Sequence, residues 1–305
     1  MAPVPEGTQK FKYAVVTGSY KGIGFETVKY LASQGINVVL TARNVKKGLE
    51  SHEKLKAFGL PGQVLFHQLD VCDDASVASF ADFIKTQFGK LDILINNAGL
   101  AGLIPNSEAF NKAFKEAGGW PADDKYWEEI TVEESYELTK EAIDTNYYGA
   151  KRIVEALLPY LQKSEAPRIV NVASSLGSLR FIPNEWAKEL WGNVEQLTEE
   201  RLEEVLTAYL KAFKEGKLKE NNWPVYTSAY KMSKGGLNTY TRLLAKKYPF
   251  LCVNSVCPGY CKSDMTCGTG LWTVEDGAKK LCTWALQPDQ TPSGVMISHL
   301  GISPF

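Results

Sequence analysis

Tyr13-Ala14-Val15-Val16-Thr17-Gly18-Ser19-Tyr20-Lys21-Gly22-Ile23-Gly24 decides the fold. The short apolar run reads as a buried strand. Phe25, Val28 and Leu31 follow at helical spacing, on one inward face. Between strand and helix lies a glycine-rich turn with the spacing G-x-x-x-G-x-G. Glycines let backbone approach a ligand closely, and a helix start offers free N–H groups to an anion. The stretch therefore reads as a diphosphate cradle in which Gly18, Lys21, Gly22, Ile23 and Gly24 face a dinucleotide.

Working outward, Val38-Val39-Leu40-Thr41-Ala42-Arg43 is a second strand. Its end is where a dinucleotide ribose would lie, and an acidic residue there would repel a 2′-phosphate. This chain has Arg43, with Lys21 in the loop before it, and two cations suit a 2′-phosphate. Without that loop, Arg43 would read as a solvated strand end. Further strands are expected at 64–70, closing on Asp70-Val71, at 91–96, running into Asn96-Asn97-Ala98-Gly99, and at 168–173, followed by Ser174-Ser175. Two more are expected at 252–257, closed by Pro258-Gly259, and at 295–300. Helical patterns alternate with them and hairpin signals are missing. The pattern predicts an α/β, Rossmann-type doubly wound parallel sheet with helices on both faces. Ligands of such sheets bind at the C-terminal strand ends.

Residues 100–130 read as a long loop with some helix, and 132–158 as a regular helix that Pro159 ends or disturbs. Asn146 lies inside that helix, a mildly unfavourable place for asparagine. Residues 178–223 read as a helical insertion. Thr198 is its N-cap, and Leu202, Val205, Leu206, Tyr209, Leu210 and Phe213 form an apolar stripe. Core packing is the preferred fate of that stripe, with a partner interface as the alternative. A helix over 227–248 then carries Tyr230-Lys231-Met232-Ser233-Lys234. Tyr230 and Lys234, four apart, share a helix face. An ammonium beside a phenol lowers the phenol pKa from about 10, which makes the pair a plausible proton donor. Taken alone, the pentapeptide reads as an ordinary surface pair.

Net charge is −1, so no basic field points to nucleic acid or a membrane surface. No apolar run approaches the ~18 residues of a membrane span. Residues 1–12 are polar and lack the apolar core of a signal peptide; the expected location is cytoplasmic. Five of the six cysteines lie at 252–282, without C-x-x-C and without a histidine among them. Free, buried or half-buried thiols are expected there, and no metal site.

Four motifs in this order resemble the short-chain dehydrogenase/reductase family, over nearly the whole chain. They are Thr17-Gly18-x-x-x-Gly22-Ile23-Gly24, Asn96-Asn97-Ala98-Gly99, Ser174, and Tyr230 with Lys234. Ser174 is preferred to Ser175 because it lies three after Asn171 and three before Gly177. Phe66-His67-Gln68-Leu69-Asp70-Val71, Asn184-Glu185-Trp186-Ala187-Lys188 and Leu197-Thr198-Glu199-Glu200-Arg201 are similar to the salutaridine reductase and menthone/neomenthol reductase group of plant enzymes. That group and the monomeric carbonyl reductases share the long insertion, which here puts 56 positions between Ser174 and Tyr230.

The resemblance implies one dinucleotide-binding catalytic domain over 1–305, a monomer, using NADPH/NADP+ to reduce a small apolar ketone of terpenoid or alkaloid type to a secondary alcohol. It implies a catalytic tetrad of Asn146, Ser174, Tyr230 and Lys234. Tyr230 would protonate the oxygen and Ser174 would hydrogen-bond it. Lys234 would lower the Tyr230 pKa and hold the ribose, and Asn146 would keep a relay water. Cofactor contacts are expected from Gly18, Lys21, Gly22, Ile23, Gly24, Arg43, Asp70, Val71, Asn97, Tyr230, Lys234, Pro258, Gly259 and Ser263. Ser263 stands where the family usually has threonine. Pocket walls are expected from 100–103, 176–182 and 265–272. Alternatives are reduction of a conjugated C=C bond and a cofactor-binding sensor without turnover.

Overall fold

The apolar runs become the strands of one sheet; the inner ones are buried on both faces, and the edge run at 64–68 is half-buried. The computed structural model describes residues 12–287 and 292–304, so the reading of 1–11 lies outside it. The strands are β1 (Tyr13–Val16), β2 (Asn37–Ala42), β3 (Val64–Gln68), β4 (Ile93–Asn96), β5 (Ile104–Pro105), β6 (Thr131–Glu133), β7 (Arg168–Val172), β8 (Cys252–Val256), β9 (Met296–Ser298) and β10 (Gly301–Ser303). Eight of them form a sheet in the order β10-β9-β8-β7-β4-β1-β2-β3; β5 and β6 make a separate ribbon. The order reverses between β1 and β4, the switch point at which such sheets bind ligands. Alternate residues go to opposite layers: Val15, Val39, Leu94 and Ile169 to one, and Ala14, Val16, Val38, Leu40, Ile95 and Val170 to the other.

The second layer is closed by α1 (Gly22–Ser33) packed on α11 (Val274–Ala285), with α2 (Val45–Lys56) beside β2 and β3. The first contains α3 (Asp74–Gln87), α7 (Ala150–Leu161), α8 (Glu185–Gly192), α9 (Glu199–Lys214) and α10 (Ser228–Lys247). Thr198 caps α9 by accepting from Arg201 N at 3.2 Å. Leu202, Val205, Leu206 and Tyr209 are fully buried, against α10 and against α6 (Tyr136–Ile143). The stripe is therefore core. Each such aliphatic side chain contributes about 1.5–3 kcal/mol through burial.

Three expectations change. Residues 100–130 hold more structure than a loop: α4 (Ser107–Ala117), α5 (Lys125–Ile130) and the β5–β6 ribbon. Asn106 caps α4 through Glu108 N and Ala109 N, at 3.0 and 3.1 Å. Phe110, Ala113, Trp127 and Ile130 form a small core of their own there. The helix expected over 132–158 starts later, where Ser135 caps α6, and continues to Leu161 with Pro159 inside its last turn. Between α6 and α7, Asp144–Gly149 is a π-helical turn. Finally, the expected strand at 295–300 stops at Ser298, and β10 returns antiparallel along β9.

Candidate active site

Thr17 ties the glycine loop to the end of β4. Its Oγ1 accepts from Asn97 N at 2.9 Å and Ala98 N at 3.0 Å. Asn97 Nδ2 returns bonds to the Thr17 and Gly18 carbonyls, at 2.9 and 3.2 Å. Ser19 is buried beneath the loop, donating to Val16 O and accepting from Thr41 N. A Cβ on Gly24 would lie 2.5 Å from Asn97 Nδ2 and 2.8 Å from Ser19 Cα. Gly18 has φ 59°, and a Cβ there would meet Ala98 Cα at 2.9 Å. The N-cap of α1, Lys21, makes no side-chain cap. First-turn N–H groups are thus left for a ligand, which fits a dinucleotide diphosphate.

The other expected cofactor residues sit at neighbouring strand ends. Arg43 follows β2, and its Nη1 lies 3.4 Å from Glu141 Oε1 of α6, both groups exposed. Lys21 Nζ lies 2.5 Å from Asp264 Oδ2, a bond that raises the lysine pKa. Both cations thus already hold carboxylates from segments distant in sequence. After β3, Asp70 Oδ1 accepts from Cys72 N at 3.0 Å, and Val71 packs where a Cβ on Gly149 would clash. After β8, Pro258 O accepts from Lys280 Nζ at 3.2 Å. Ser263 opens the single turn Asp264–Thr266, and its Oγ lies 3.4 Å from Thr266 Oγ1.

The expected tetrad converges. Ser174 lies just past β7, accepts from Leu176 N at 3.1 Å, and lies near enough to the Tyr230 phenol to favour its ionised form. Lys234 is buried; its Nζ lies 5.7 Å from the Tyr230 ring centroid and donates to Val172 O at 2.7 Å. Asn146 is carried by the π turn, a feature frequent at functional sites. Its Nδ2 donates to Leu100 O (2.9 Å) and Ser233 Oγ (2.8 Å), and its Oδ1 accepts from Leu100 N (2.8 Å). An ideal Cβ on Gly99 would sit 3.1 Å from Asn146 Oδ1 and 3.4 Å from Lys234 Nζ, so the two groups flank one glycine.

One electrostatic expectation is corrected. Tyr230 titrates above the usual phenol range, because burial, with Cys257 adding in the same upward direction, outweighs the opposing influence of the Ser174 hydroxyl. Lys234 does not reverse this: one of its three donors goes to the Val172 carbonyl, and its Nζ lies 5.7 Å from the ring centroid. Burial brings Lys234 itself down to about 8, with Cys257 opposing.

Sequence reading placed Thr17 in the cofactor-loop motif but missed its tie to Asn97 and Ala98, and it missed Ser233, which sits between Tyr230 and Lys234 and orients Asn146. It also missed that the segments carrying the expected walls at 100–103 and 265–272 are joined beyond those walls. Trp120 meets Tyr260 edge-on at 5.1 Å and packs at 5.2 Å from Trp127. Ile182, expected on a wall, lies in the core. None of the cysteines forms a disulfide; Cys257, Cys261 and Cys282 are buried and Cys72 is exposed. A cavity of about 470 Å³ between Asn184, Trp186 and Trp223 lies on the insertion and includes none of these site residues.

Residues 12–185 match the short chain dehydrogenase family. The chain is 52% identical over 297 residues to a (+)-neomenthol dehydrogenase of Arabidopsis thaliana, covering 96% of this chain and 98% of that one. It is 31% identical over 303 residues to carbonyl reductase [NADPH] 1 of Mus musculus, covering 96% and 98%. The structure of salutaridine reductase from Papaver somniferum superposes with a TM-score of 0.88 at 48% identity, over 93% of this chain and 99% of that one. With its glycine cradle, its sheet order and the convergence of Ser174, Tyr230 and Lys234, the chain belongs to the short-chain dehydrogenase/reductase family of oxidoreductases.

Proposed function

We propose that the chain is an NADPH-dependent reductase of a small apolar ketone, terpenoid- or alkaloid-like, giving a secondary alcohol. The observation that carries this is the meeting of the Ser174 hydroxyl and the Tyr230 phenol under the Lys234 ammonium. Bound nicotinamide supplies the hydride. Gly18, Gly22, Ile23 and Gly24 would seat its diphosphate, with Asp70, Val71 and Asn97 beside it and Pro258, Gly259 and Ser263 at the nicotinamide end. Lys21 and Arg43 support NADPH over NADH, by exchanging Asp264 and Glu141 for a 2′-phosphate. The name of the carbonyl reductase relative supports NADPH, and those of the neomenthol and salutaridine relatives support the substrate class.

Tyr230 is held protonated at neutral pH by its raised pKa, and it passes that proton to the substrate oxygen as negative charge develops there. Ser174 Oγ donates to the same oxygen. Lys234, still mostly charged at neutral pH, stabilises the phenolate left behind and holds the ribose. Asn146, beside Lys234 at Gly99, is assigned the water that returns a proton to Tyr230.

We place the enzyme in the cytoplasm, which suits its free thiols. No helix of the described residues is long and apolar enough to cross a membrane. We also read it as a monomer, because α9 covers faces of α6 and α10 through which many family members associate; a dimer mass by light scattering would overturn that.

The test is NADPH oxidation with a panel of cyclic ketones and enones. Tyr230→Phe should lower ketone reduction by about 10²–10⁴-fold while NADPH binding stays near that of the parent. Retained ketone activity would sink the proposal. Activity kept only on enones would replace it with C=C reduction.

A further inference from the structure

Helix α10 starts without a cap of its own. Thr227 sits in the left-handed region at φ 49°, and its hydroxyl turns back to the Tyr226 carbonyl at 2.7 Å. The first-turn donors of the helix therefore need another acceptor. Glu134 supplies it from 94 positions away, directly after β6. Its Oε1 accepts from Ser228 N at 3.0 Å, Ser228 Oγ at 2.8 Å and Ala229 N at 3.3 Å. Negative charge at a helix N-terminus is favourable.

A second link comes from the insertion. Tyr209 Oη of α9 lies 2.7 Å from Ser228 Oγ. Ser228 has one hydroxyl hydrogen and gives it to Glu134, so Tyr209 must be the donor. The order is Tyr209 to Ser228 to Glu134, with Ser228 and Tyr209 fully buried. The chain leading into the ribbon presses on the same turn, since a Cβ on Gly102 would come within 2.5 Å of Ala229 Cβ. Tyr230 is the next residue along.

We infer that Glu134 is a positioning residue: by holding the first turn of α10 to the β5–β6 ribbon, it sets the Tyr230 phenol where Ser174 meets it. The inference rests on the role proposed for Tyr230. Glu134 touches neither substrate nor cofactor; it acts through the helix. Misplacing a proton donor by about 1 Å suffices to slow a reaction by about 10²-fold.

The experiment uses the full chain and the ketone assay. Glu134→Ala should lower kcat by about 10- to 100-fold while the Kd for NADPH stays within about twofold. The solvent deuterium isotope effect on kcat should rise, because proton transfer becomes the slower event. Glu134→Gln keeps an oxygen acceptor for the two N–H groups and should restore kcat to within about threefold of the parent. Should Glu134→Ala not fold, Ser228→Ala carries the test, with a loss in kcat of about threefold and the Kd unmoved. Parent-like kcat in the folded variants overturns the inference. So does a loss of kcat matched by weaker NADPH binding, with an unmoved isotope effect, since a mere cap would do that. Tyr230→Phe in the same panel separates the failures. If that variant stays active, the reading of the site falls and this inference with it. If it is dead while Glu134→Ala is parent-like, this inference alone falls.

Discussion

Two helix starts face the site and are finished in opposite ways. At α1 the first-turn N–H groups are left without a side-chain cap, and glycines clear the space in front of them. At α10 the same orphan donors are taken by Glu134, from another part of the chain. The physics is identical at both, unpaired N–H groups and a positive dipole end. Donors left open await an anion, while donors closed by a distant carboxylate fix a helix whose side chains must stay put.

The contrast breaks most sharply at Gly24. Gly24→Ala drives a methyl to 2.5 Å from Asn97 Nδ2 and 2.8 Å from Ser19 Cα, neither free to move. Overpacking of this kind should weaken NADPH binding by about 10- to 100-fold in a fluorescence titration. An unchanged Kd would mean that the open donors of α1 are not the diphosphate seat. A smaller effect belongs to the rim. Arg43→Ala should reduce the NADPH-over-NADH ratio of kcat/KM by about tenfold. Equal kcat/KM for the two cofactors in the parent would remove the 2′-phosphate from the account.

The smallest effect tests the closed helix through Lys234, whose pKa is about 8. Below that pH the ammonium is charged and stabilises the forming phenolate; above it the charge is lost. Reduction should therefore decline as pH rises, with kcat/KM at half its plateau near pH 8, since kcat/KM reports the free enzyme. A profile flat to well above pH 9 would show that Lys234 keeps its proton, and that the Val172 carbonyl and ring face outweigh burial.

The strands and the glycine turn were legible because burial on two faces demands continuous apolar runs, and close approach demands glycine. The α9 stripe was legible for the same reason, as Leu202, Val205, Leu206 and Tyr209 all go into the core. The lobe at 100–130 was not. Its helix α4 does carry a periodic stripe, Phe110, Ala113, Phe114 and Ala117, but it spans only 107–117 and is followed by Gly118, Gly119 and Pro121, which read as loop. The tetrad residues could be picked out by motif, but their charges could not. That Lys234 donates to the Val172 carbonyl depends on the crossing of α10 over β7. The carboxylates opposite Lys21 and Arg43 lie 243 and 98 positions away, and no local pattern announces such partners. Glu134 is illegible in the same way, one acidic residue in a polar connection.

The π turn at Asp144–Gly149 has a consequence for chain length. A π turn inside an α-helix accommodates one residue more than the α ladder would. Each residue of an α-helix advances the face by about 100°. Removing one residue from 144–149 would thus act as a rotation rather than a shortening. Either Asn146 would swing away from Leu100 and Ser233, or Tyr147, Ile153 and Leu157 would turn out of the core. The surplus residue lets one helix satisfy two phases at once, a polar one set by the site and an apolar one set by the interior.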